Sequence, residues 1–340
     1  MSASEADSSN PWLDLLSLIN GFQITQAIHV ASTLRIADHL TDGARSADEL
    51  AALTHSHPSA LYRLLRALAA LGVFREDQSR KFTLTPMGDC LRSDSATPIG
   101  AWAEVVGSPY FWQTWGHLLH SVRTGENAFQ DLNGQDVWKY RAEHPGDGAT
   151  FNRAMTQFSR GHAESVIGAY DFSAFRRIVD VGGGQGLMLA AILGAYPRMH
   201  GTLFDQPGVV AGASAALAER GVIDRCDVVG GSFFEAVPEG GDAYLMRVVI
   251  HDWEDDEAIA ILKVCRRAMQ TTAKLLLIER IVAPPNEMPA IKFSDLNMLV
   301  SPGGRERTRE EFSDLFAKSG FELTRVAPAG MLNVIEARPR

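Results

Sequence analysis

The sequence predicts an α/β protein: an open, doubly wound, mostly parallel sheet with an antiparallel edge strand, preceded by a helical module of winged-helix type. Three observations carry this. Apolar residues recur mostly at helical spacing up to about Val106, whereas from Arg176 short apolar runs alternate with helical stretches. The first of those runs ends in VDVGGGQG, Val179 to Gly186, with a helical stretch directly behind it. The last two runs are separated only by a tight turn around Ala329-Gly330, too short for a crossover helix, so the final strand must return antiparallel.

Composition narrows the class. A length of 340 residues suggests about two domains. With 41 acidic against 32 basic residues, the net charge of −9 weighs against a protein that coats nucleic acid or an anionic membrane. Cys90, Cys226 and Cys265 are an odd number without ligand spacing, so neither a disulfide framework nor a zinc site is indicated. No apolar run approaches the ~20 residues needed to cross a bilayer. The start, MSASEADSSNP, lacks the basic and apolar regions of a signal peptide. Residues 1–10 are read as a disordered leader, and the chain is expected to be cytoplasmic.

Residues 11–105 form the predicted winged-helix-like module. Leu15, Leu18, Ile19, Phe22, Ala27, Val30, Leu34 and Ile36 place broad apolar faces on one or two helices. Ser46 caps the next helix and Glu49, three residues on, completes a capping box. A further helix starts near Pro58 and stops at Gly72, and GVFRED and KFTLT read as two strands joined by a polar turn. DNA-binding regulators share this pattern. Here Arg63, Arg66, Arg80 and Lys81 are nearly cancelled by Asp48, Glu49, Glu76, Asp77 and Asp89, leaving no basic stripe. The module is therefore read as a dimerisation or substrate-lid element. Residues 106–170 are read as a helical linker whose many aromatics mostly serve packing. A few, chiefly near Met155 and Phe158, are expected to line a pocket for an aromatic ligand.

In residues 171–340 the strands are RIVDVGG, HGTLFDQ, RCDVVGG, AYLMRVV, KLLLIERIV, FELTRVAP and LNVIEARP, with helices near Leu187–Ala195, Val209–Glu219, Asp255–Met269 and Arg309–Ser319. Gly182, Gly184 and Gly186 allow a tight turn, close approach of a ligand, and a helix N-terminus that faces it. The spacing is GxGxG, with Leu187 where the dinucleotide fingerprint has glycine. Asp180 stands two positions before the first glycine. Asp205, followed by Gln206, ends the next strand, where it can accept hydrogen bonds from both ribose hydroxyls.

DVGGGQG, LFDQPGVV, GGSFF, VVIHDWEDDEA, LLLIERIV, DLNMLVSPGG and ERTREEF follow one another in an order that resembles the S-adenosylmethionine-dependent small-molecule O-methyltransferases. The likeness is to the plant caffeate and isoflavone type and its bacterial natural-product relatives. It spans essentially the whole chain, since the N-terminal module is similar to that family's dimerisation domain. It implies a class I methyltransferase sheet of Rossmann-like build with S-adenosylmethionine as cofactor. By resemblance, Gly182, Gly184 and Gly186 wrap the methionine part, with Asp180 beside them. Asp205 and Gln206 hold the ribose and Phe233 packs on the adenine. Ser232 stands where the family usually has aspartate, which replaces a carboxylate contact to the adenine amino group with a hydroxyl. Arg247 falls where many relatives have lysine, and Ser159 matches a contact to the methionine carboxylate.

The expected catalyst is His251, directly after an apolar strand at the carboxyl edge of the sheet, where ligands collect. A phenol with a pKa of about 10 is neutral at pH 7, and its oxyanion is the nucleophile, so methyl transfer needs a base. A carboxylate can fix the imidazole tautomer and steady the imidazolium. The resemblance implies that Glu279 and Glu306 flank the base. Asp252 is expected either to contact the substrate or to cap the helix starting near Glu254. The run EDDEA complements a helix dipole rather than a metal, and a metal-free mechanism is expected. The remaining pocket candidates are Trp112, Met155, Phe158, Asn297 and Met298. The expected protein is thus a homodimeric O-methyltransferase acting on a hydroxyl, phenolic by preference, of a small aromatic or polyketide-like metabolite. A cofactor-binding homologue drifted to decarboxylation or hydroxylation is one alternative, against which His251 and Glu306 together speak. A DNA-binding regulator is the other, and the charge balance opposes it.

Overall fold

The computed structural model describes residues 10–340; the leader expected over residues 1–10 lies, except for Asn10, outside the described residues. The chain forms two compact units, one up to Trp112 and one from Gln113 onward. The helix Pro109–Gly116 runs through that boundary, so most of the segment expected as a separate linker belongs to the second unit.

The described residues of the first unit form helices together with β1 (Arg45–Ser46), β2 (Phe74–Glu76) and β3 (Lys81–Leu84), which pair antiparallel in the order β1-β3-β2. Ser46 and Glu49 make the predicted reciprocal cap, Glu49 N donating to Ser46 Oγ at 3.2 Å and Ser46 N to Glu49 Oε2 at 2.6 Å. The helix Pro58–Ala70 lays Leu61, Leu65 and Leu68, spaced three to four apart, into a core with Ile36, Leu50, Phe74 and Phe82. The helix Pro11–Ile19 buries none of its residues and leaves Trp12, Leu15 and Leu18 exposed.

The second unit carries a seven-stranded sheet. Its strands are β4 (Arg177–Val181), β5 (His200–Asp205), β6 (Cys226–Gly230), β7 (Ala243–Arg247), β8 (Lys274–Glu279), β9 (Phe321–Ala329) and β10 (Leu332–Pro339), in the order β6-β5-β4-β7-β8-β10-β9. All seven predicted strands are present, and the final one does run antiparallel, to both β8 and β9. It is not the edge, however. The hairpin turning at Gly330 (φ +69°) inserts β10 beside β8 and leaves β9 outermost. Leu332, Val334, Ile335 and Ala337 are buried, as a strand covered on both faces requires, whereas Thr324, Arg325 and Pro328 of β9 are exposed. The helix expected over Val209–Glu219 is broken at Ala211-Gly212 into Pro207–Val210 and Ala213–Glu219.

The helices Pro145–Ala169 and Leu187–Ala195 cover one face of the sheet, and Asp255–Ala268 and Arg309–Ser319 the other. Strand order reverses at β4, between β5 and β7, so the crevice for a ligand opens at the carboxyl ends of these strands. Among the described residues no helix is long and apolar enough to cross a membrane. Ile335→Ala is expected to lower the unfolding free energy by about 2–5 kcal/mol and Ser46→Ala by only about 1 kcal/mol; denaturant titration of both variants checks the contrast.

Candidate active site

The loop after β4 is built from glycines because most of its conformations and approaches exclude a side chain. Gly182, Gly184 and Gly186 have φ of +72°, +59° and +76°. The amides of Gly182 and Gly183 donate to Phe204 O of β5 at 2.8 and 3.3 Å. A Cβ on Gly182 would lie 2.7 Å from Val249, and one on Gly183 2.5 Å from Leu203 and 2.6 Å from Asp180. At Gly184 a Cβ would meet nothing within 4 Å, so this part of the loop is open to a ligand.

Asp180, at 1% exposure, has neither carboxylate oxygen hydrogen-bonded. Burial raises its pKa to about 7; Arg247 opposes the rise and Asp205 adds to it. A buried carboxyl without a donor is the signature of a site completed by a ligand or water. Asp205 Oδ2 accepts from Gly184 N at 2.8 Å and Oδ1 from Gln206 N at 2.6 Å, while burial pushes its pKa up. The Phe233 ring reaches the same loop, 3.8 Å from where a Gly182 Cβ would sit, and meets Trp253 edge-on at 5.9 Å. Ser232 Oγ accepts from Phe234 N at 3.3 Å in a local turn. Arg247, at the end of β7, donates to Ser159 Oγ, which donates in turn to Met155 O at 2.9 Å. Two residues 88 positions apart, both expected at the cofactor, thus touch. The donor and acceptor set fits an amino acid with a cationic amine and a carboxylate, joined to a ribose and an aromatic base.

His251 lies in a short turn, Ile250–Asp252, reached through Val248 at φ +55°. It is 4% exposed. Its Nδ1 is 3.0 Å from Glu306 Oε1 and its Nε2 3.4 Å from Asp252 Oδ1. The same Glu306 oxygen accepts from Ser294 Oγ at 2.7 Å and Arg280 Nη1 at 3.3 Å. The Glu306 amide donates to Asp295 Oδ1 at 2.9 Å. Burial pulls the imidazole pKa down, but Asp252, Glu279 and Glu306 outweigh it and lift it to about 9. Glu306 is buried too, yet His251, Arg280 and Ser294 hold its pKa low. Burial raises Asp252 to about 6 against the pull of His251.

Two expectations change in detail. Glu279 does not flank the ring by a hydrogen bond. Its Oε1 accepts from the amides of Val249 and Ile250 at 3.1 and 2.9 Å, so it fixes the backbone that carries the base and adds charge nearby. Asp252 faces Nε2 and is not a cap; Glu254 directly precedes the helix Asp255–Ala268.

Arg307 and Gly304 also support the site, in roles that the sequence motifs do not announce. Arg307 is 1% exposed and donates to Ile250 O at 3.1 Å, Trp253 O at 2.8 Å and Asp255 Oδ1 at 2.9 Å, binding both sides of the His251 turn. A Cβ at Gly304 would lie 2.2 Å from His251 O, so only glycine lets this loop press against the turn. The glycine pair in GGRERT was the available signal.

Of the pocket candidates, Met155 and Phe158 lie on the helix Pro145–Ala169 with Ser159. Asn297 and Met298 lie on the helix Pro289–Val300, which also carries Ser294 and Asp295 to Glu306. Asn297 Oδ1 accepts from Trp115 Nε1 at 3.1 Å, and Met298 is buried. Trp112 is the last residue of the first unit.

An O-methyltransferase domain model matches residues 115–322, and an O-methyltransferase dimerisation domain model matches residues 16–94. The chain is 44% identical to a phenazine O-methyltransferase of Lysobacter antibioticus, over 96% of this chain and 95% of that one. The structure of the mitomycin 7-O-methyltransferase superposes with a TM-score of 0.90 at 38% identity, covering 97% of this chain and 98% of that one. An O-methyltransferase from neocarzinostatin biosynthesis, in complex with S-adenosylmethionine and 2-hydroxy-5-methyl naphthoic acid, gives 0.79 at 33% identity, with 93% and 96% covered.

Because its folded pKa exceeds the ordinary 6.5, protonated His251 stabilises the fold fully below about pH 6.5, and that contribution is lost as pH rises through about 9. Glu306→Gln removes one of the carboxylates responsible. NMR titration of the imidazole is expected to show the midpoint near 9 falling toward the ordinary value in that variant.

Proposed function

The chain belongs to the O-methyltransferase family, and from that premise we propose that it methylates a phenolic hydroxyl of a small aromatic or polyketide-like metabolite, with S-adenosylmethionine as donor and no catalytic metal. The observation that carries this reading is the buried His251–Glu306 contact at 3.0 Å, placed at the carboxyl end of β7 beside the glycine loop. The aromatic acceptors in the names of the relatives, a phenazine and a naphthoic acid, support a fused-ring or phenolic substrate.

When bound, S-adenosylmethionine supplies an electrophilic methyl on a sulfonium. The backbone of Gly182, Gly184 and Gly186 leaves room for its methionine part, and the unpartnered oxygens of Asp180 accept from its amino group. Arg247 and Ser159 serve the carboxylate, Asp205 and Gln206 the ribose, and Ser232 and Phe233 the adenine. Met155, Phe158, Asn297 and Met298 line the acceptor pocket. His251 Nδ1–H is held by Glu306, which leaves Nε2 to take the phenolic proton, and Asp252 sits 3.4 Å from that nitrogen to orient the hydroxyl; that oxygen would take the methyl, leaving the bound cofactor as the neutral thioether. An imidazole of pKa about 9 facing a phenol of about 10 makes the transfer nearly thermoneutral. The charge it gains lands among three carboxylates. Most of the acceleration is expected from holding the reactants in line.

A homodimer is supported by the dimerisation-domain match and by the helix Pro11–Ile19, whose Trp12, Leu15 and Leu18 find no cover among the described residues. The acidic balance speaks against a nucleic-acid partner.

His251→Ala is expected to reduce turnover of labelled methyl onto the best member of a phenol, flavonoid, phenazine and polyketide panel by about 10²–10⁴-fold, with the cofactor Kd unchanged. Near-wild-type turnover in that variant refutes the base assignment. Asp180→Ala is expected to weaken cofactor binding about tenfold or more, read by calorimetry.

A further inference from the structure

Four side chains of metal-binding type gather in the second unit outside the site described above. The helix Leu118–Thr124 is preceded by His117 and carries His120. Gly125, at φ +79°, ends it and turns the chain through Glu126 into the helix Ala128–Asn133, which carries Asp131. The spacing of three between the histidines puts both rings on one side, where they stack at 4.9 Å between centroids and 12° between planes. His117 Nε2 is 2.8 Å from Asp131 Oδ2. His120 Nε2 lies 3.4 Å from Glu126 Oε2 and 3.9 Å from Asp131 Oδ1, is shielded from solvent, and has no hydrogen-bond partner.

An ordinary histidine–aspartate hydrogen bond accounts for His117 but leaves His120 Nε2 buried and unsatisfied, which costs free energy unless something completes it. One ligand atom from each of His117, His120 and Asp131 lies within 4.8 Å of the others. A tetrahedral zinc ion, with bonds of about 2.0 Å, holds its ligands about 3.3 Å apart, so the two stacked rings must turn out of their parallel arrangement for both nitrogens to face one ion. Two imidazoles with carboxylates suit zinc and its neighbours, whereas magnesium and calcium seek oxygen alone.

We infer that this corner binds one divalent ion of the zinc class, ligated by His117, His120 and Asp131, with Glu126 completing the set. The ion is separate from the reaction, and the inference stands whether or not methyl transfer is the activity. Its effect is to brace the wall of the acceptor pocket. Asn127, between Glu126 and Asp131, donates through Nδ2 to Leu299 O at 3.2 Å and Ser301 O at 3.1 Å, at the end of the helix that carries Asn297 and Met298.

The test is calorimetric titration of zinc into the full-length protein stripped by chelator, with cobalt substitution as a spectroscopic check. One equivalent per chain with a Kd in the micromolar range or below, a raised melting temperature, and the visible bands of tetrahedral cobalt are expected. His120→Gln and Asp131→Asn should each weaken zinc binding by at least about tenfold while melting like the parent protein in chelator. His251→Ala should retain the equivalent. Absence of zinc binding overturns the inference, as does undiminished affinity in both variants or loss of the equivalent in His251→Ala.

Discussion

At the end of β7 an imidazole and a carboxylate are both removed from water and placed 3.0 Å apart, and much of the surrounding structure exists to make that pairing tolerable. Taking two ionisable groups out of water costs several kcal/mol each unless every remaining lone pair and proton is answered. Ser294 and Arg280 donate to the Glu306 oxygen that faces the ring, and Asp295 anchors the Glu306 amide. Glu279 spends one oxygen on the amides of Val249 and Ile250, which stiffens the turn without competing for the ring. Arg307 and Gly304 then close the loop over the turn from the other side. With Asp252 included, three carboxylates surround one imidazole, and the balance favours the ring in its charged form, the form it takes after accepting a proton.

The cofactor half depends on the same sheet edge. Asp180 on β4 and Arg247 on β7 lie on neighbouring strands and influence each other's charge, Asp180 being buried without a donor. Arg247 in turn holds Ser159 on the helix Pro145–Ala169, which also carries Met155 and Phe158. The residues proposed for the cofactor, the base and the pocket wall therefore sit mostly at adjacent strand ends and on the helices packed against them.

What could be read from the chain was what local sequence encodes. Glycines at 182, 184 and 186 announce a turn with positive φ, and all three adopt it. Ser46 with Glu49 announces a capping box, and it forms. His251 stood out because it follows an apolar strand directly. What escaped was set by distant contacts. The antiparallel direction of β10 follows from its short turn, but its place beside β8 depends on which strand is apolar on both faces, as Leu332, Val334 and Ile335 are. Glu279 was expected beside the base from family resemblance, which does not reveal that backbone amides have claimed one of its oxygens. Arg307, a charged residue almost without exposure, gave no local hint of burial, and neither did the pairing of Arg247 with Ser159 across the unit.

The central claim is that three buried carboxylates, Asp252, Glu279 and Glu306, set the protonation of His251 and through it the rate. The most direct test is the pH dependence of kcat/KM for a phenolic acceptor at saturating cofactor, in the parent protein and in Glu306→Gln. The account predicts an acidic limb that moves to lower pH in the variant, with a lower plateau above it, because the ring loses both its orienting partner and a stabilising charge. A limb that stays in place, with an unchanged plateau, would contradict it.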